Sequence, residues 1–157
     1  MASATRQQSR FKALYAVDPL RPLDQLDPDG ALLDQEKVSL LVLLVCEVPE
    51  ESLALFRKHL MPPNQLVRQV ASQEVELKHR LSEIVGRLEM MGYEVNGCVE
   101  RGKRTGLVIT SVAERENVDL IILQRRRQKT WQRVLLGSVA DHVTRHTKRP
   151  LLILPYG

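Results

Sequence analysis

Two runs of the sequence, Val38–Val48 and Val118–Leu123, are apolar at nearly every position. A strand with one face in water alternates apolar and polar residues, so an unbroken apolar run indicates a strand that is covered on both faces. Such strands occur in parallel sheets, where the helices that connect successive strands pack against both sides. The two runs therefore predict an α/β fold.

The remaining segments supply the other elements of that fold. Strands are also predicted at Phe11–Val17, Tyr93–Glu100 and Pro150–Pro155. Because strands alternate with helices, we expect a five-stranded parallel sheet with helices on both faces. The prolines between 19 and 30 shorten the first crossover. The predicted helical segments are Gly30–Glu36, Glu51–His59, a long helix with Asn64 as N-cap and Gly92 as its stop, a helix capped by Thr105, and Ser138–His146.

The length of 157 residues suits one domain, so we expect a flexible N-terminus over residues 1–10 and a single domain over residues 11–157. Cys46 and Cys98 form no CxxC motif, and a chain of this kind fits a reducing cytoplasm. The N-terminus lacks the apolar core of a signal peptide. The longest apolar run, Leu40–Val45, is far shorter than the ~20 residues of a membrane span, so we predict a cytoplasmic protein without a transmembrane segment.

Positive charge is concentrated in the last third of the chain. Residues 101–157 hold 12 Lys and Arg against 4 Asp and Glu, whereas residues 1–100 hold 11 against 15. Five of these cations lie in the segment Gln124–Arg133, which follows a predicted buried strand and contains no acidic residue. An anionic partner is therefore expected to bind in the C-terminal third.

The C-terminal half resembles a known family. Its order is the buried strand Val118–Leu123, a loop, the sequence LLGSVA at residues 135–140, then Arg145-His146 and the strand Pro150–Leu154. This pattern is similar to that of the universal stress protein family, closely over residues 64–157 and more weakly over residues 11–48. The resemblance implies an adenine-nucleotide-hydrolase-like fold, with a shortened first crossover in this chain. It also implies a homodimer that forms through the C-terminal strand 150–154.

Many members of that family bind ATP or AMP. In those members an aspartate at the end of the first strand contacts the adenine, and a G-x2-G-x9-G-[ST] signature wraps the phosphates. Carried onto this sequence, the aspartate is Asp18 and the final pair is Gly137-Ser138, but Gln124 and Arg127 stand where the two loop glycines are expected. Glycine lets phosphate approach the backbone amides, so both replacements alter the usual pocket.

The altered loop allows three interpretations. It can be a solvated basic loop without a ligand, since charged runs are usually surface. Its arginines can grip phosphate in place of backbone amides, because the guanidinium fork binds phosphate bidentately. It can also dock an acidic protein or another anion, whereas nucleic acid is disfavoured because aromatic residues make up only 4% of the chain. The candidate nucleotide-binding residues are Asp18, Gln124, Arg125, Arg127, Gly137 and Ser138, and the candidate docking residues are Arg126, Lys129, Trp131 and Arg133.

No arrangement of residues in the sequence indicates catalysis. His142 and His146 are four residues apart on a predicted helix, but no third ligand is evident, so a structural role is favoured over a metal site. The favoured hypothesis is a non-enzymatic regulatory module of the stress response that acts through partner binding, without strong ATP binding. The alternative is an ATP or AMP sensor that grips phosphate with arginines of the segment 124–133.

Overall fold

The computed structural model describes residues 10–28, 32–124 and 137–155, and its strands form one parallel sheet in the order β3-β2-β1-β4-β5. This arrangement confirms the predicted α/β fold with a five-stranded parallel sheet. Besides a short 3-10 turn at Leu23–Gln25, the elements in chain order are β1 (Phe11–Ala16), β2 (Val38–Glu47), α1 (Glu50–Arg57), α2 (Pro63–Met90), β3 (Glu94–Gly102), α3 (Thr105–Arg115), β4 (Leu120–Gln124), α4 (Ser138–His146) and β5 (Leu151–Leu154).

Strand β2 is covered on both faces, as its unbroken apolar run predicts. Its side chains alternate between two clusters: Leu40 and Val42 pack with α2, whereas Leu41 and Leu43 pack with α3 and α4. Successive side chains of a strand point to opposite faces, so both sets are buried only because helices lie on each side. Helix α2 contributes Val70, Leu77, Ile84 and Leu88 to the first cluster.

Two predicted helix caps are wrong. Helix α2 begins at Pro63 with Pro62 as its N-cap, so Asn64 lies inside the first turn. Proline is favoured at this first position because it has no amide hydrogen to leave unpaired. Helix α3 has Arg104 as its N-cap, not Thr105. The predicted stop at Gly92 is confirmed, since this residue has a φ of 97° and follows Met91, the C-cap of the helix.

A strand side chain takes over the capping of α3. The backbone N–H of Thr105 donates to Oε1 of Glu47 at 2.7 Å, and the Thr105 hydroxyl donates to the same oxygen. Glu47 ends the neighbouring strand β2. A carboxylate at this position stabilises the helix because the helix N-terminus carries partial positive charge.

The first crossover, between β1 and β2, is short as expected, but its helical turn is in a different place. The prediction of a helix at Gly30–Glu36 is wrong over residues 32–36, and the described part of the crossover contains a single 3-10 turn at Leu23–Gln25. Asp34 accepts the backbone N–H of Glu36 at 3.0 Å, and such a local side-chain bond favours a turn over a helix. Residues 29–31 lie outside the described residues, as do residues 1–9, so the flexible N-terminus stays a prediction.

The two cysteines lie on opposite faces of the sheet. Cys46 packs in the cluster beneath α2, whereas Cys98 packs against the cluster beneath α3 and α4. The sheet between them prevents a disulfide, and burial raises the pKa of both thiols. In the described ranges, none of the helices combines the length and the apolar character that crossing a membrane requires.

Helices α3 and α4 meet at a close contact between Gly106 and His142. A Cβ atom on Gly106 would lie 2.9 Å from Cβ and 2.9 Å from the ring atom Cδ2 of His142, closer than side chains approach in proteins. His142 in turn stacks on His146 with 4.1 Å between the ring centroids. The Nε2 atom of His142 is the single buried side-chain nitrogen or oxygen of the described residues without a hydrogen-bond partner. This packing agrees with a structural role for the histidine pair.

We expect Gly106→Ala to destabilise the fold, although alanine is the better helix former by about 1 kcal/mol. The added methyl group forces α3 away from His142, and overpacking of this kind costs about 1–3 kcal/mol. Urea unfolding measures the change. In the double variant Gly106→Ala/His142→Ala the cost should be smaller than the sum of the two single costs. Additive costs would show that the two residues do not restrain each other.

Candidate functional site

The candidate site lies where β1 and β4 end side by side at the carboxyl edge of the sheet. From β1 the chain proceeds to β2 on one side, and β4 pairs with β1 on the other side. In open parallel sheets this switch point opens a crevice in which ligands bind. Asp18 follows β1 and Gln124 ends β4, so the structure places both predicted residues at this edge.

Asp18 is engaged by its own chain. Its Oδ1 accepts the backbone N–H of Leu20 at 3.0 Å, and its carbonyl accepts the backbone N–H of Arg21 at 3.0 Å. These two bonds form a tight turn around Pro19, whose fixed φ suits a turn. One carboxylate oxygen of Asp18 is therefore already committed within the protein.

The side chain of Gln124 is held by two hydrogen bonds, one to β1 and one to the first crossover. The hydroxyl of Tyr15, which is fully buried, donates to Oε1 of Gln124 at 2.6 Å. The amide Nε2 of Gln124 donates to the carbonyl of Gln25 at 3.3 Å. The residues 18–26, which we call the cover segment, are thereby joined to the end of β4.

The burial of this group of side chains changes the acidity of Tyr15. Burial raises the pKa of the Tyr15 phenol well above its ordinary value near 10, and the positive charge of Arg21 opposes that rise only in part. Tyr15 therefore remains a neutral hydrogen-bond donor throughout the physiological range.

Arg80 fixes the cover segment to helix α2, and Arg21 adds a hydrogen bond within the segment. Nε of Arg80 donates to the carbonyl of Pro19 at 3.0 Å, and its Nη2 donates to the carbonyl of Arg21. Arg21 is itself buried, and its Nη1 donates to the carbonyl of Gln25 at 3.3 Å. Since a guanidinium offers several donors in a fixed plane, one side chain can hold two carbonyls at once. The cover segment is thus bonded to both α2 and β4.

Helix α4 begins at Ser138, directly after Gly137. Gly137 is the N-cap with a φ of 79°, a conformation that favours glycine. Among the described residues, no side chain is seen to cap this helix end, and Ser138 is exposed. Amide groups at a helix N-terminus attract anions when no side chain satisfies them.

The sequence predicted part of this arrangement. It identified Asp18, Gln124 and the Gly137–Ser138 pair, but it missed the roles of Tyr15 and Arg80. The role of Arg80 could have been inferred from an arginine near the core side of an amphipathic helix.

Six of the predicted site residues lie outside the described residues: Arg125, Arg126, Arg127, Lys129, Trp131 and Arg133. The described ranges contain no group of three or more His, Cys, Asp or Glu side chains that could hold a metal ion.

A parallel sheet with a crevice at its carboxyl edge defines a class of α/β domains related to nucleotide-binding proteins. Within that class, the sequence model of the universal stress protein family matches residues 1–155. The chain therefore belongs to the universal stress protein family.

Two universal stress proteins are similar to this chain in sequence. The protein Sll1388 of Synechocystis is 26% identical over 152 residues, which cover 92% of this chain and 97% of the relative. The protein MJ0577 of Methanocaldococcus jannaschii is 29% identical over 79 residues. That alignment covers 50% of this chain and spans 48% of the relative.

Solved structures show the same fold. A universal stress protein in complex with cAMP superposes with a TM-score of 0.62 at 16% identity, covering 94% of this chain and 98% of that one. A family protein from Arabidopsis thaliana with AMP bound superposes with a TM-score of 0.57 at 15% identity, covering 94% and 92%. At this level of identity the likeness establishes the fold alone.

We expect Tyr15→Phe to lower the free energy of unfolding by about 1–2 kcal/mol at neutral pH, because Oε1 of Gln124 loses its buried donor. Above pH 10 the unfolded tyrosine ionises while the folded one does not, so wild-type stability falls as the pH rises through this range. The phenylalanine variant lacks this contribution, and the gap between the two proteins should narrow. Denaturant unfolding between pH 7 and 11 measures the gap, and a constant gap would contradict the burial of the phenol.

Proposed function

We propose that this universal stress protein is a non-enzymatic regulatory module of the stress response that acts by binding a partner, without strong ATP binding. The observation that carries the proposal is the pair of hydrogen bonds that join Gln124 to Tyr15 and to the cover segment. They bond the chain to itself at the place where relatives of this fold have their ligand crevice.

The replacement of glycine by Gln124 has a physical consequence for nucleotide. Phosphate approaches a backbone amide closely only where no side chain intervenes. The Gln124 side chain lies between β4 and the cover segment, and moving it breaks its hydrogen bond with the buried Tyr15 hydroxyl. An unpaired buried donor or acceptor costs about 1–3 kcal/mol, which a nucleotide must offset before it binds.

The charge of the chain indicates the kind of partner. Residues 101–157 carry a large excess of Lys and Arg, five of them in the segment Gln124–Arg133. A concentrated positive surface attracts acidic proteins and accelerates their association. The proposal therefore names an acidic protein surface as the partner, in the cytoplasm, where free Cys46 and Cys98 stay reduced.

A second candidate function is that of an adenine-nucleotide sensor. The start of α4 at Gly137, which no side chain in the described ranges caps, favours it, as do the structures of family proteins with cAMP and AMP. In this alternative Arg125 and Arg127 bind phosphate in place of backbone amides. ATP or AMP is the ligand that this alternative implies.

Calorimetric titration with ATP, ADP and AMP separates the two functions. The favoured function predicts no micromolar or tighter binding by the wild-type chain. It also predicts that Gln124→Gly/Arg127→Gly strengthens binding, because both glycine positions of the family signature are restored. Arg125→Ala/Arg127→Ala is the matched control, which abolishes binding if the arginines grip phosphate. Micromolar binding by the wild type, lost in this control, would contradict the favoured function.

We also propose that the protein forms a homodimer through β5. Strand β5 is an edge of the sheet, and it pairs with β4 in parallel, with the N–H of Ile121 donating to the carbonyl of Pro150 at 2.9 Å. In a parallel ladder this register turns the backbone groups of Leu151 and Ile153 away from β4. An edge strand with outward-pointing groups is a template for pairing with a second copy.

We expect Ile153→Pro to prevent this dimer, because proline removes the outward N–H and places its ring at the edge. Ile153→Ala is the matched control, since it shortens the side chain but keeps the N–H. Light scattering of the alanine variant should give the mass of the wild type, and the proline variant should give half of it. Equal masses for the two variants would contradict pairing through β5.

A further inference from the structure

Helices α2 and α3 end in the same hydrogen-bonded turn, which joins each helix end to the core. In this Schellman turn, the second residue past the C-cap donates its N–H to a carbonyl in the last turn of the helix. Tyr93 donates in this way to the carbonyl of Leu88 at 3.2 Å, and Val118 donates to the carbonyl of Ala113 at 3.1 Å. Both residues of each pair are buried in one of the two core clusters.

Helix α1 ends in the same turn, but its apolar pair is exposed. His59 has a φ of 57°, and the N–H of Leu60 donates to the carbonyl of Leu55 at 2.9 Å, which brings the two leucines close together. Leu60 is 70% exposed and Leu55 40%, and the neighbouring Phe56 is 39% exposed. We call Leu55, Phe56 and Leu60 the corner surface. Large apolar side chains held together in water are typical of a surface that contacts another molecule.

The charges around the corner surface are all positive. Residues 52–73 contain Arg57, Lys58 and Arg68 and no Asp or Glu, although residues 1–100 as a whole hold more acidic than basic residues. Arg57 binds Glu50 at 3.3 Å, whereas Lys58 makes no ion pair within the described part of the chain. An unpaired cation beside exposed apolar side chains favours a partner that brings Asp or Glu to the edge of its own apolar surface.

We propose that the corner surface docks an acidic amphipathic helix of a partner protein. The apolar stripe of that helix packs on the corner surface, and its Asp and Glu side chains lie beside Lys58. An anionic membrane is a poorer fit, because Glu50 and Glu51 are exposed in the first turn of the same short helix and would be repelled by it.

This inference rests on the proposed function, since it assigns a surface and a chemistry to the partner. Helix α1 follows the carboxyl end of β2 directly, and the hydroxyl of Ser52 donates to Oε1 of Gln69 on α2 at 3.1 Å. The tests below involve no nucleotide. A failure of the corner surface therefore leaves the calorimetric result unchanged, and nucleotide binding would contradict the proposed function without changing the tests.

A designed peptide tests the docking chemistry. The probe is a fluorescein-labelled amphipathic helix with leucines on one face and glutamates elsewhere, and fluorescence anisotropy at physiological salt measures its affinity. Leu60→Ala should weaken binding about tenfold, because truncation removes an apolar anchor. Leu107→Ala is the matched control, since Leu107 is an exposed leucine of helix α3. Equal affinities for the two variants, or no binding by the wild type, would overturn the proposal.

Reversal of charge tests the role of Lys58. Lys58→Glu should weaken binding of the acidic peptide and strengthen binding of a second peptide in which every glutamate is replaced by lysine. Lys58 is exposed, so its replacement leaves the fold intact. An unchanged preference for the acidic peptide would overturn the assigned partner chemistry.

Photocross-linking tests the position of the docked peptide. The chain has two phenylalanines, Phe56 in the corner surface and Phe11 at the start of β1, and both are about equally exposed. A p-benzoylphenylalanine in place of Phe56 should attach the acidic peptide on irradiation, and one in place of Phe11 should not. Equal attachment at the two positions would overturn the proposal.

Two other occupants of the corner surface would give different results. Binding to phosphatidylserine vesicles that Leu60→Ala abolishes would show a lipid surface. A mass in light scattering that Leu60→Ala halves would show a second copy of this chain. Either result would overturn the proposal, which predicts no vesicle binding through Leu60 and the same mass for the variant and the wild type.

Discussion

The hydrogen bond from the buried Tyr15 hydroxyl to Gln124 determines what the carboxyl edge of the sheet can do. It joins the middle strand β1 to the end of β4, and the same glutamine amide continues the connection to the carbonyl of Gln25. An unpaired polar group in this position is costly, so each member keeps the others in place. At the carboxyl edge of the sheet, the end of β4 is therefore bonded to β1 and to the cover segment of the same chain.

The cover segment follows from that bond and from the short first crossover. With one 3-10 turn in the described part of the crossover, the segment between β1 and β2 has little helix structure of its own to support it. Arg80 supplies that support by binding two carbonyls from the long helix α2. A guanidinium in this role replaces the backbone hydrogen bonds that a full crossover helix would make within itself.

The sequence was sufficient for the elements whose signal is local. The unbroken apolar run of β2 predicted a strand between two helix layers, and Gly92 marked the end of α2 because its positive φ is a local requirement. The cap of α3 could not be predicted in this way. Glu47, which provides it, is far from Thr105 in the chain and reaches it only because β2 and β3 are paired.

Part of the candidate site also has a local sequence signal, and part of it depends on contacts between distant segments. The loss of a glycine at Gln124 and the retention of Gly137 are visible in the sequence once the family resemblance is recognised. The hydrogen-bond partners of Gln124 are not visible in the sequence, since Tyr15 lies in an apolar strand and has the pattern of an ordinary core residue. Only the pairing of β1 with β4 brings its hydroxyl to the amide. Burial and long-range pairing, rather than composition, created this part of the site.

Native mass spectrometry of the protein purified without added nucleotide tests the central claim most directly. If the chain closes its own crevice, each copy in the spectrum has the mass of the polypeptide, 17.9 kDa, with no adenine nucleotide attached. An adduct with the mass of AMP, ADP or ATP on a substantial fraction of the copies would contradict a closed crevice and favour the nucleotide sensor.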